Sequence, residues 1–175
     1  MRRRTVGFGP VEPRRARLLI LGTLPSEASL RAGEYYAHPR NAFWPIMGAL
    51  LGFEAAAPYA QRCDYLRRAG IALWDVCQSA YRRGSLDAAI DRASLEPNDI
   101  VGLLRRQPAI DLICFNGGVA ARLFARAIRP QLPSLPRPVQ CVTLPSTSPA
   151  HATLSWRGKL ARWRVIVRHL RTADL

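Results

Sequence analysis

Two neighbouring segments contain the side chains best suited to binding a flat polar ring. The first consists of five consecutive residues: Gly22, Thr23, Leu24, Pro25 and Ser26. Its glycine lets the backbone approach a ligand closely and its proline fixes the turn, so amide donors could point at an oxygen of a base or a phosphate. Taken alone, an ordinary strand-to-helix loop is the alternative. The segment has neither the Gly-Lys-Ser/Thr ending of a phosphate-binding loop nor a G-x-G-x-x-G dinucleotide pattern.

The second segment, residues 35–44, is richer in chemistry. Tyr36 offers a face on which a base can stack, and Asn41 can donate and accept hydrogen bonds in one plane. His38 and Arg40 can reach phosphates. Structural alternatives stay open at this point, because Tyr36 could equally be a core residue and His38 a hydrogen-bonding residue without a catalytic role.

Polar side chains also follow later strands. Asn116 ends a predicted strand, where its carboxamide can read the edge of a base, or alternatively cap the next helix. Ser146, Thr147 and Ser148 offer hydroxyls to phosphates from a loop stiffened by prolines, although a plain Ser/Thr turn explains them equally well. Asp75 follows another predicted strand and is the best-placed acid, for which we expect a structural role.

Several kinds of catalytic centre are not indicated. The sequence presents no Ser-His-Asp arrangement, no H-E-x-x-H metal motif and no pair of carboxylates at catalytic spacing. Its four cysteines, at positions 63, 77, 114 and 141, form no C-x-x-C pair and are too widely separated for a zinc or iron–sulfur pattern. We therefore expect no metal, and we interpret the cysteines as small buried residues in a reducing cytosol.

The overall charge predicts a polyanionic partner. Lys and Arg total 26 against 12 Asp and Glu, which gives the 175-residue chain a net charge of +14. The length predicts one globular domain at 17–175, preceded by a loosely ordered basic arm at 1–16 that could contain a short strand of its own and could touch phosphates. No signal peptide or stretch of transmembrane length is evident, so a soluble cytoplasmic protein with no membrane contact is expected.

These candidate residues need a scaffold in which strands alternate with helices. Short apolar runs predict strands near 17–21, 71–76, 110–115 and 139–144, and amphipathic patterns predict helices near 43–51, 57–68, 100–107, 119–128 and 156–171. We expect Phe43 and Trp44 to be core anchors, Asn98-Asp99 to cap a helix, 79–94 to be turn-like and 130–138 to be a proline-rich linker. The alternation predicts an α/β fold whose sheet is mainly parallel, with helices on both faces. Loops after such strands open at one edge, where ligands bind.

The ordered motifs resemble the uracil-DNA glycosylase superfamily, and within it the hypoxanthine-DNA glycosylase branch, also called family six. The resemblance runs through residues 22–26, 29–30, 35–44, 74–76, 84–87, 98–100, 115–117, 144–150 and Lys159. It implies a three-layer α/β/α sandwich around a four-stranded parallel sheet. It also implies an enzyme that flips a damaged nucleotide out of the duplex and hydrolyses its N-glycosidic bond without a metal or other cofactor, leaving an abasic site.

The resemblance also assigns roles to residues. Leu24 stands where many members carry a catalytic Asp or Asn, and Leu144 stands where many carry a His or Asn. Both departures argue against ordinary uracil excision and resemble the hypoxanthine branch. In that branch the asparagine of the His-Pro-Arg-Asn segment takes over the essential role, which points to Asn41. The implied base-binding residues are Gly22, Thr23, Leu24, Tyr36 and Asn116. The implied DNA-binding residues are Pro25, Ser26, His38, Arg40, Ser146, Thr147 and Ser148.

The leading hypothesis is thus a monomeric glycosylase that releases hypoxanthine from double-stranded DNA, after which abasic-site repair enzymes process the product. Two alternatives stay open: a broader enzyme that accepts uracil or xanthine, and a non-catalytic nucleic-acid-binding module. The second predicts salt-sensitive DNA binding without an abasic product. A small-nucleotide enzyme fits less well, because no triphosphate site is recognisable and the positive charge exceeds what a small substrate requires.

Overall fold

A computed structural model describes residues 4–172 of the chain. The strands are β1 Arg4–Val6, β2 Leu18–Gly22, β3 Ile71–Asp75, β4 Cys77–Tyr81, β5 Glu96–Pro97, β6 Leu112–Asn116 and β7 Gln140–Leu144. The helices are α1 Glu27–Ala32, α2 Phe43–Leu51, α3 Tyr59–Arg68, α4 Ile100–Arg106, α5 Gly118–Ala127, α6 Trp156–Trp163 and α7 Val165–Thr172. Short 3-10 helices span Asp87–Ala89, Arg92–Ser94 and Arg129–Ser134.

A four-stranded parallel sheet with strand order β3-β2-β6-β7 forms the centre of the molecule. Every residue of β2, β3 and β6 is buried, as expected for apolar strands covered by helices on both faces, whereas the edge strand β7 is only partly buried. In register, Gly22 pairs with Asp75, and Asn116 pairs with Leu144. The predicted α/β class and four-stranded parallel sheet flanked by helices are confirmed.

A second, antiparallel sheet was missed by the sequence patterns. It has the order β1-β4-β5, and β4 begins only two positions after β3 ends. The expectation that residues 79–94 are turn-like is therefore wrong for their first residues, although the two 3-10 helices that follow agree with it. Strand β4 contains a mixture of polar and apolar residues, and pairing with distant segments stabilises it.

The first residues of the chain are more ordered than predicted. Strand β1 pairs with β4, Val11 bridges to Leu73, and both Val11 and Ala16 are buried. The short strand that the arm could contain is present as β1, whereas the expectation of loose order is wrong for residues 4–16, because their backbone and apolar side chains contribute to the fold. Residues 1–3 and 173–175 lie outside the described part of the chain. The boundary between an arm at 1–16 and a domain at 17–175 stays a prediction.

Other element boundaries differ in small ways. The short helix α1 was not predicted; Ser26 caps it by accepting a hydrogen bond from the Ser29 amide. The predicted final helix is divided into α6 and α7, and the predicted linker at 130–138 begins as a 3-10 helix. Asp99 caps α4 as expected, whereas the Asn98 side chain donates instead to the backbone carbonyl of Asp75 over 2.8 Å.

The core contains the residues that the apolar patterns indicated. Phe43 and Trp44 are buried, which confirms them as core anchors, and Cys63, Cys77 and Cys114 are buried free thiols. Between residues 4 and 172, no group of three or more His, Cys, Asp or Glu side chains could hold a metal ion. Within that same span, no helix is both long enough and apolar enough to cross a membrane.

Candidate active site

The carboxyl ends of β2, β3 and β6 open into a cavity of about 520 Å³. The loops around residues 35–41, 85–88 and 146–151 complete its wall. Ten of the thirteen predicted site residues, including the predicted catalytic Asn41, line it: Gly22, Thr23, Leu24, Pro25, Ser26, Tyr36, Asn41, Asn116, Ser146 and Ser148. The other three, His38, Arg40 and Thr147, are not part of the lining.

Gly22 makes the floor of this cavity possible. A Cβ at this position would lie 2.6 Å from the Tyr36 hydroxyl and closer still to Oδ1 of Asp75. Any larger residue would displace both side chains, because real Cβ atoms do not approach other atoms so closely. The glycine therefore allows a phenol and a carboxyl group to meet beside the end of β2.

Tyr36 has an unusual backbone conformation and a supported ring. Among the described residues it is the only non-glycine residue with a positive φ, at 56°. Its ring stacks on Phe43 with centroids 4.1 Å apart and planes 25° apart. Its hydroxyl is buried and forms no hydrogen bond of ordinary geometry. Burial, reinforced by the charge of Asp75, raises the pKa of Tyr36, and the neighbouring Asn116 side chain opposes this rise. A strained backbone is retained at sites where surrounding contacts fix the side chain for function.

Asn41 is held at the start of α2 with part of its side chain unused. Its Oδ1 accepts a hydrogen bond from the Phe43 backbone amide over 3.0 Å, and the backbone amide of Asn41 donates to the His38 carbonyl over 2.8 Å. These bonds orient the carboxamide and leave its NH₂ group, together with one acceptor position of Oδ1, available to a ligand in the cavity.

His38 and Arg40 belong to the flank of the site. Nδ1 of His38 accepts a hydrogen bond from the Arg40 amide over 3.1 Å, which stabilises the turn that leads to Asn41. Arg40 is exposed and His38 is partly exposed. Their position outside the cavity agrees with contacts to the DNA backbone rather than to a base, and these contacts stay a prediction.

Asn116 and Thr147 form a buried pair. Nδ2 of Asn116 donates to Oγ1 of Thr147 over 2.8 Å, and the Thr147 amide donates to Oδ1 of Asn116 over 2.9 Å. The alternative that Asn116 caps α5 is wrong, because the cap residue is Gly117 and no side chain caps that helix. Each Asn116 polar atom keeps one further hydrogen-bonding position for a ligand.

The same pair corrects one expected DNA contact. Thr147 is only 1% exposed, and its carbonyl accepts a hydrogen bond from the Ala42 amide over 3.0 Å. A hydroxyl buried in this way cannot reach a phosphate, so Thr147 positions Asn116 and joins two walls of the cavity instead. Ser146 and Ser148 remain on the lining, where phosphate contacts are sterically open.

The loop after β7 approaches Asn116 closely because of Gly117. This glycine has a φ of 99°, and a Cβ here would lie 3.0 Å from the Cβ of Ser146. Behind the loop, Nζ of the buried Lys159 lies 3.5 Å from the Ser148 carbonyl, and Nε1 of Trp163 donates to the Pro145 carbonyl over 3.0 Å. Burial lowers the pKa of Lys159. These contacts fix the loop against the cavity from both sides.

An acidic pair beside a buried arginine was not anticipated as part of the site. Asp75 and Asp87 both line the cavity, and Arg82 forms an ion pair with Asp87 over 3.8 Å. The Arg82 guanidinium also donates to the carbonyls of Leu24 and Pro25, which fixes the first loop. Burial, followed by the charge of Asp87, raises the pKa of Asp75 to about 8 despite the opposing effect of Arg82. Asp87 lay in a motif of the resemblance without an assigned role.

The whole chain was compared with known proteins. A model of the uracil DNA glycosylase superfamily matches residues 8–171. The hypoxanthine DNA glycosylase of Methanosarcina acetivorans is 34% identical over 164 residues, which cover 93% of this chain and 98% of that protein. The hypoxanthine DNA glycosylase of Methanosarcina barkeri is 37% identical over 112 residues, which cover 63% of this chain and 70% of that protein.

A solved structure agrees with these matches. The solution NMR structure of a Methanosarcina acetivorans protein, provisionally assigned as a uracil DNA glycosylase, has a TM-score of 0.79 and 33% sequence identity to this chain. The superposition covers 97% of this chain and 99% of the other. The family match includes the described strands that form the cavity floor and the loops that form its wall. The chain belongs to the uracil DNA glycosylase superfamily.

Proposed function

We propose that this DNA glycosylase releases hypoxanthine from DNA in which adenine has been deaminated, leaving an abasic site. The observation that carries the proposal is the convergence of Tyr36, Asn41 and Asn116 on one cavity whose first loop presents the apolar Leu24. Curated relatives that share a third of the sequence are named hypoxanthine DNA glycosylase. Leu24 also supports this branch, because ordinary uracil excision in the superfamily relies on an acid or amide at the matching place.

Recognition begins with a base rotated out of the duplex. One face of Tyr36 rests on Phe43, so its ring is held rigidly and can support a purine by stacking. Asn116, oriented by Thr147, then offers a donor and an acceptor to the polar edge of the base. A carboxamide fixed by two hydrogen bonds loses little conformational freedom on binding, so it can discriminate between bases.

Bond cleavage needs electrostatic assistance on both sides of the glycosidic bond. The sugar becomes oxocarbenium-like and the departing base gains negative charge, which fixed donors stabilise. The free NH₂ group of Asn41 is such a donor, because its Oδ1 is held by the Phe43 amide. A carboxamide does not take up a proton near neutral pH, so Asn41 acts by positioning the substrate or the attacking water and not as a strong base.

The remaining predicted residues would bind the DNA around the extruded nucleotide. Pro25, Ser26, Ser146 and Ser148 line the cavity, and His38 and Arg40 lie outside it on the same segment as Asn41. The net charge of +14 favours such contacts and makes binding sensitive to salt. The proposal further includes a monomer acting on double-stranded DNA in the cytoplasm, followed by abasic-site repair enzymes.

Base release from defined duplexes tests the proposal. Wild type, Asn41→Ala and Gln78→Ala are incubated with labelled duplexes that contain one hypoxanthine, uracil or xanthine, and strand breaks are measured after alkaline cleavage. Gln78 is an exposed carboxamide outside the cavity and serves as the matched control. We expect breakage mainly at hypoxanthine, at least 100-fold slower in Asn41→Ala and unchanged in Gln78→Ala.

Other outcomes separate the alternatives. Breakage mainly at uracil would keep the superfamily and reject the substrate, and equal breakage at all three bases would indicate a broader enzyme. If wild type bound the duplexes in a salt-sensitive way without breaking any of them, the non-catalytic module would replace the enzyme.

A further inference from the structure

The floor of the cavity contains polar atoms that no protein group satisfies. In the described part of the chain, four buried side-chain polar atoms lack a hydrogen-bond partner: Thr23 Oγ1, Tyr36 OH, Asp75 Oδ2 and Arg82 Nε. Thr23, Tyr36 and Asp75 line the cavity itself. Thr23 has the Asp87 side chain beside it and Tyr36 has that of Asn116, whereas no hydrogen bond contributes to the pKa of Asp75. Because a buried polar atom without a partner is costly, such a group in a cleft indicates a function with a ligand.

Asp75 is the exceptional member of this group. Only 3% of the residue is exposed, yet its carboxyl group caps no helix and forms no ion pair among the described residues. What fixes the residue is its backbone, which is paired with Gly22 and accepts a hydrogen bond from the Asn98 side chain. A purely structural role, expected from the sequence, does not explain a buried carboxyl group whose Oδ2 has no hydrogen-bond partner.

Nearby charges are arranged so that Asp75 receives no direct cation. The guanidinium of Arg82 donates hydrogen bonds to the carbonyls of Leu24 and Pro25 and forms an ion pair with Asp87. An isolated carboxyl group in such a site is favoured in its neutral form, in which it carries a proton that it can donate.

We propose that Asp75 is the general acid of the reaction and donates its proton to N7 of the flipped purine as the glycosidic bond breaks. This inference rests on the function proposed above. The carboxyl O–H bond breaks, an N7–H bond forms, and the C1′–N9 electron pair moves into the imidazole ring. Hypoxanthine then leaves as a neutral molecule. Water adds its oxygen to C1′, and its released proton returns to the Asp75 carboxylate.

The protonation state required for this step follows from the surroundings of Asp75. Burial and the neighbouring Asp87 raise its pKa to about 8, and Arg82 opposes them. The other titratable groups that interact with Asp75 are Tyr35, Tyr36 and Cys77. Burial and the charge of Asp75 raise the pKa of each, so all three are neutral near pH 7. Asp75 is therefore mainly protonated at neutral pH, and the fraction able to donate falls as the pH rises through about 8.

The acid also bears on which base is released. A purine presents N7 as a basic nitrogen on the ring that departs, whereas uracil has no such atom. Proton donation from Asp75 would thus accelerate the loss of hypoxanthine or xanthine and contribute little to uracil. Removing the proton donor would narrow the difference in rate between purine and pyrimidine substrates.

Single-turnover rates of hypoxanthine release between pH 5.5 and 9 test the inference in four proteins. These are wild type, Asp75→Asn, Asp87→Asn and the control Asp64→Asn, which changes an exposed carboxylate on α3. We expect Asp75→Asn to be about 100-fold slower or more, and to lose the decrease in rate that wild type shows near pH 8. Asp87→Asn removes a charge that raises the pKa of Asp75, so the decrease should begin at lower pH. Asp64→Asn should match wild type.

Two control measurements distinguish a loss of catalysis in Asp75→Asn from a loss of folding or of DNA binding. Thermal unfolding, together with binding to a hypoxanthine duplex blocked by 2′-fluoroarabinose, shows whether Asp75→Asn remains folded and binds within about threefold of wild type. N1 of hypoxanthine also ionises at alkaline pH, but it does so identically for every variant, so differences between variants isolate Asp75.

The inference is overturned if Asp75→Asn keeps the wild-type rate, or if it is slow but keeps the wild-type pH profile. A pH profile unchanged in Asp87→Asn would also reject it. Absence of hypoxanthine release by wild type would instead reject the proposed function.

Discussion

Replacing Thr147 with valine tests whether the buried carboxamide pair organises the site. Valine has nearly the same shape as threonine but cannot accept the hydrogen bond that Asn116 Nδ2 donates over 2.8 Å. The second bond, from the Thr147 amide to Asn116 Oδ1, remains because it uses the backbone. The substitution therefore removes one of two anchors and leaves one buried N–H group without its partner.

The size of the effect follows from burial. Thr147 is 1% exposed and Asn116 is 7% exposed, so water cannot replace the lost acceptor without entering the core. An unsatisfied buried donor costs about 1–3 kcal/mol, which should appear in the free energy of unfolding. The lost orientation of Asn116 is worth about one net hydrogen bond, or roughly 0.5–1.5 kcal/mol, and should slow hypoxanthine release by about 2- to 10-fold.

Urea unfolding and single-turnover hypoxanthine release measure the two effects separately. The control is Thr143→Val, which changes an exposed threonine on β7 and should alter stability by less than about 0.5 kcal/mol. Equal stability and equal rate in Thr147→Val and Thr143→Val would refute the conclusion that this hydrogen bond positions Asn116. A loss of stability with an unchanged rate would limit Thr147 to a structural role.

Three further predictions concern other contacts of the cavity. Gly22→Ala should weaken binding to the 2′-fluoro hypoxanthine duplex at least 10-fold, because the new Cβ displaces Asp75 and Tyr36, while binding to undamaged duplex stays within twofold. Asp75→Asn should become more stable relative to wild type as the pH rises from about 4 to about 8. The folded wild type holds the Asp75 proton up to a pKa of about 8, whereas the unfolded chain loses it near the ordinary value of 3.8, so wild type loses stability over this range. Urea unfolding curves of both proteins at several pH values measure this difference. Lys159→Met should change the free energy of unfolding by less than about 1 kcal/mol, because losing the contact with the Ser148 carbonyl offsets the removal of a buried charge. It should nevertheless slow hypoxanthine release several-fold, because the loop after β7 is held less firmly.

The sequence predicted those elements whose structure is determined locally. Helix α2 has the predicted bounds, because Pro45 is tolerated in its first turn and Gly52 ends it in a left-handed conformation. The central strands were found because they are short apolar runs buried on both faces. Strand β4 was missed because its stability comes from pairing with β1 and β5, which are distant in sequence.

The site shows the same division between local and distant information. Tyr36 and Asn41 were predicted together because they are close in sequence. The Asn116–Thr147 pair joins residues 31 positions apart, and no local pattern reveals it. The contact of Asp75 with Gly22 depends on the register of β2 and β3, so the sequence alone suggested only a structural acid.

Leu24 connects the proposed substrate with the proposed acid. Its apolar side chain is 6% exposed and lines the same cavity as Asp75, while its carbonyl is held by Arg82. An apolar lining disfavours the charged form of a carboxyl group in the same cavity, which agrees with the raised pKa of Asp75. A loop without an acid lacks one means of orienting water, which Asn41, another residue of the cavity lining, can supply. The replacement that argues against ordinary uracil excision is thus the same one that favours proton donation to a purine.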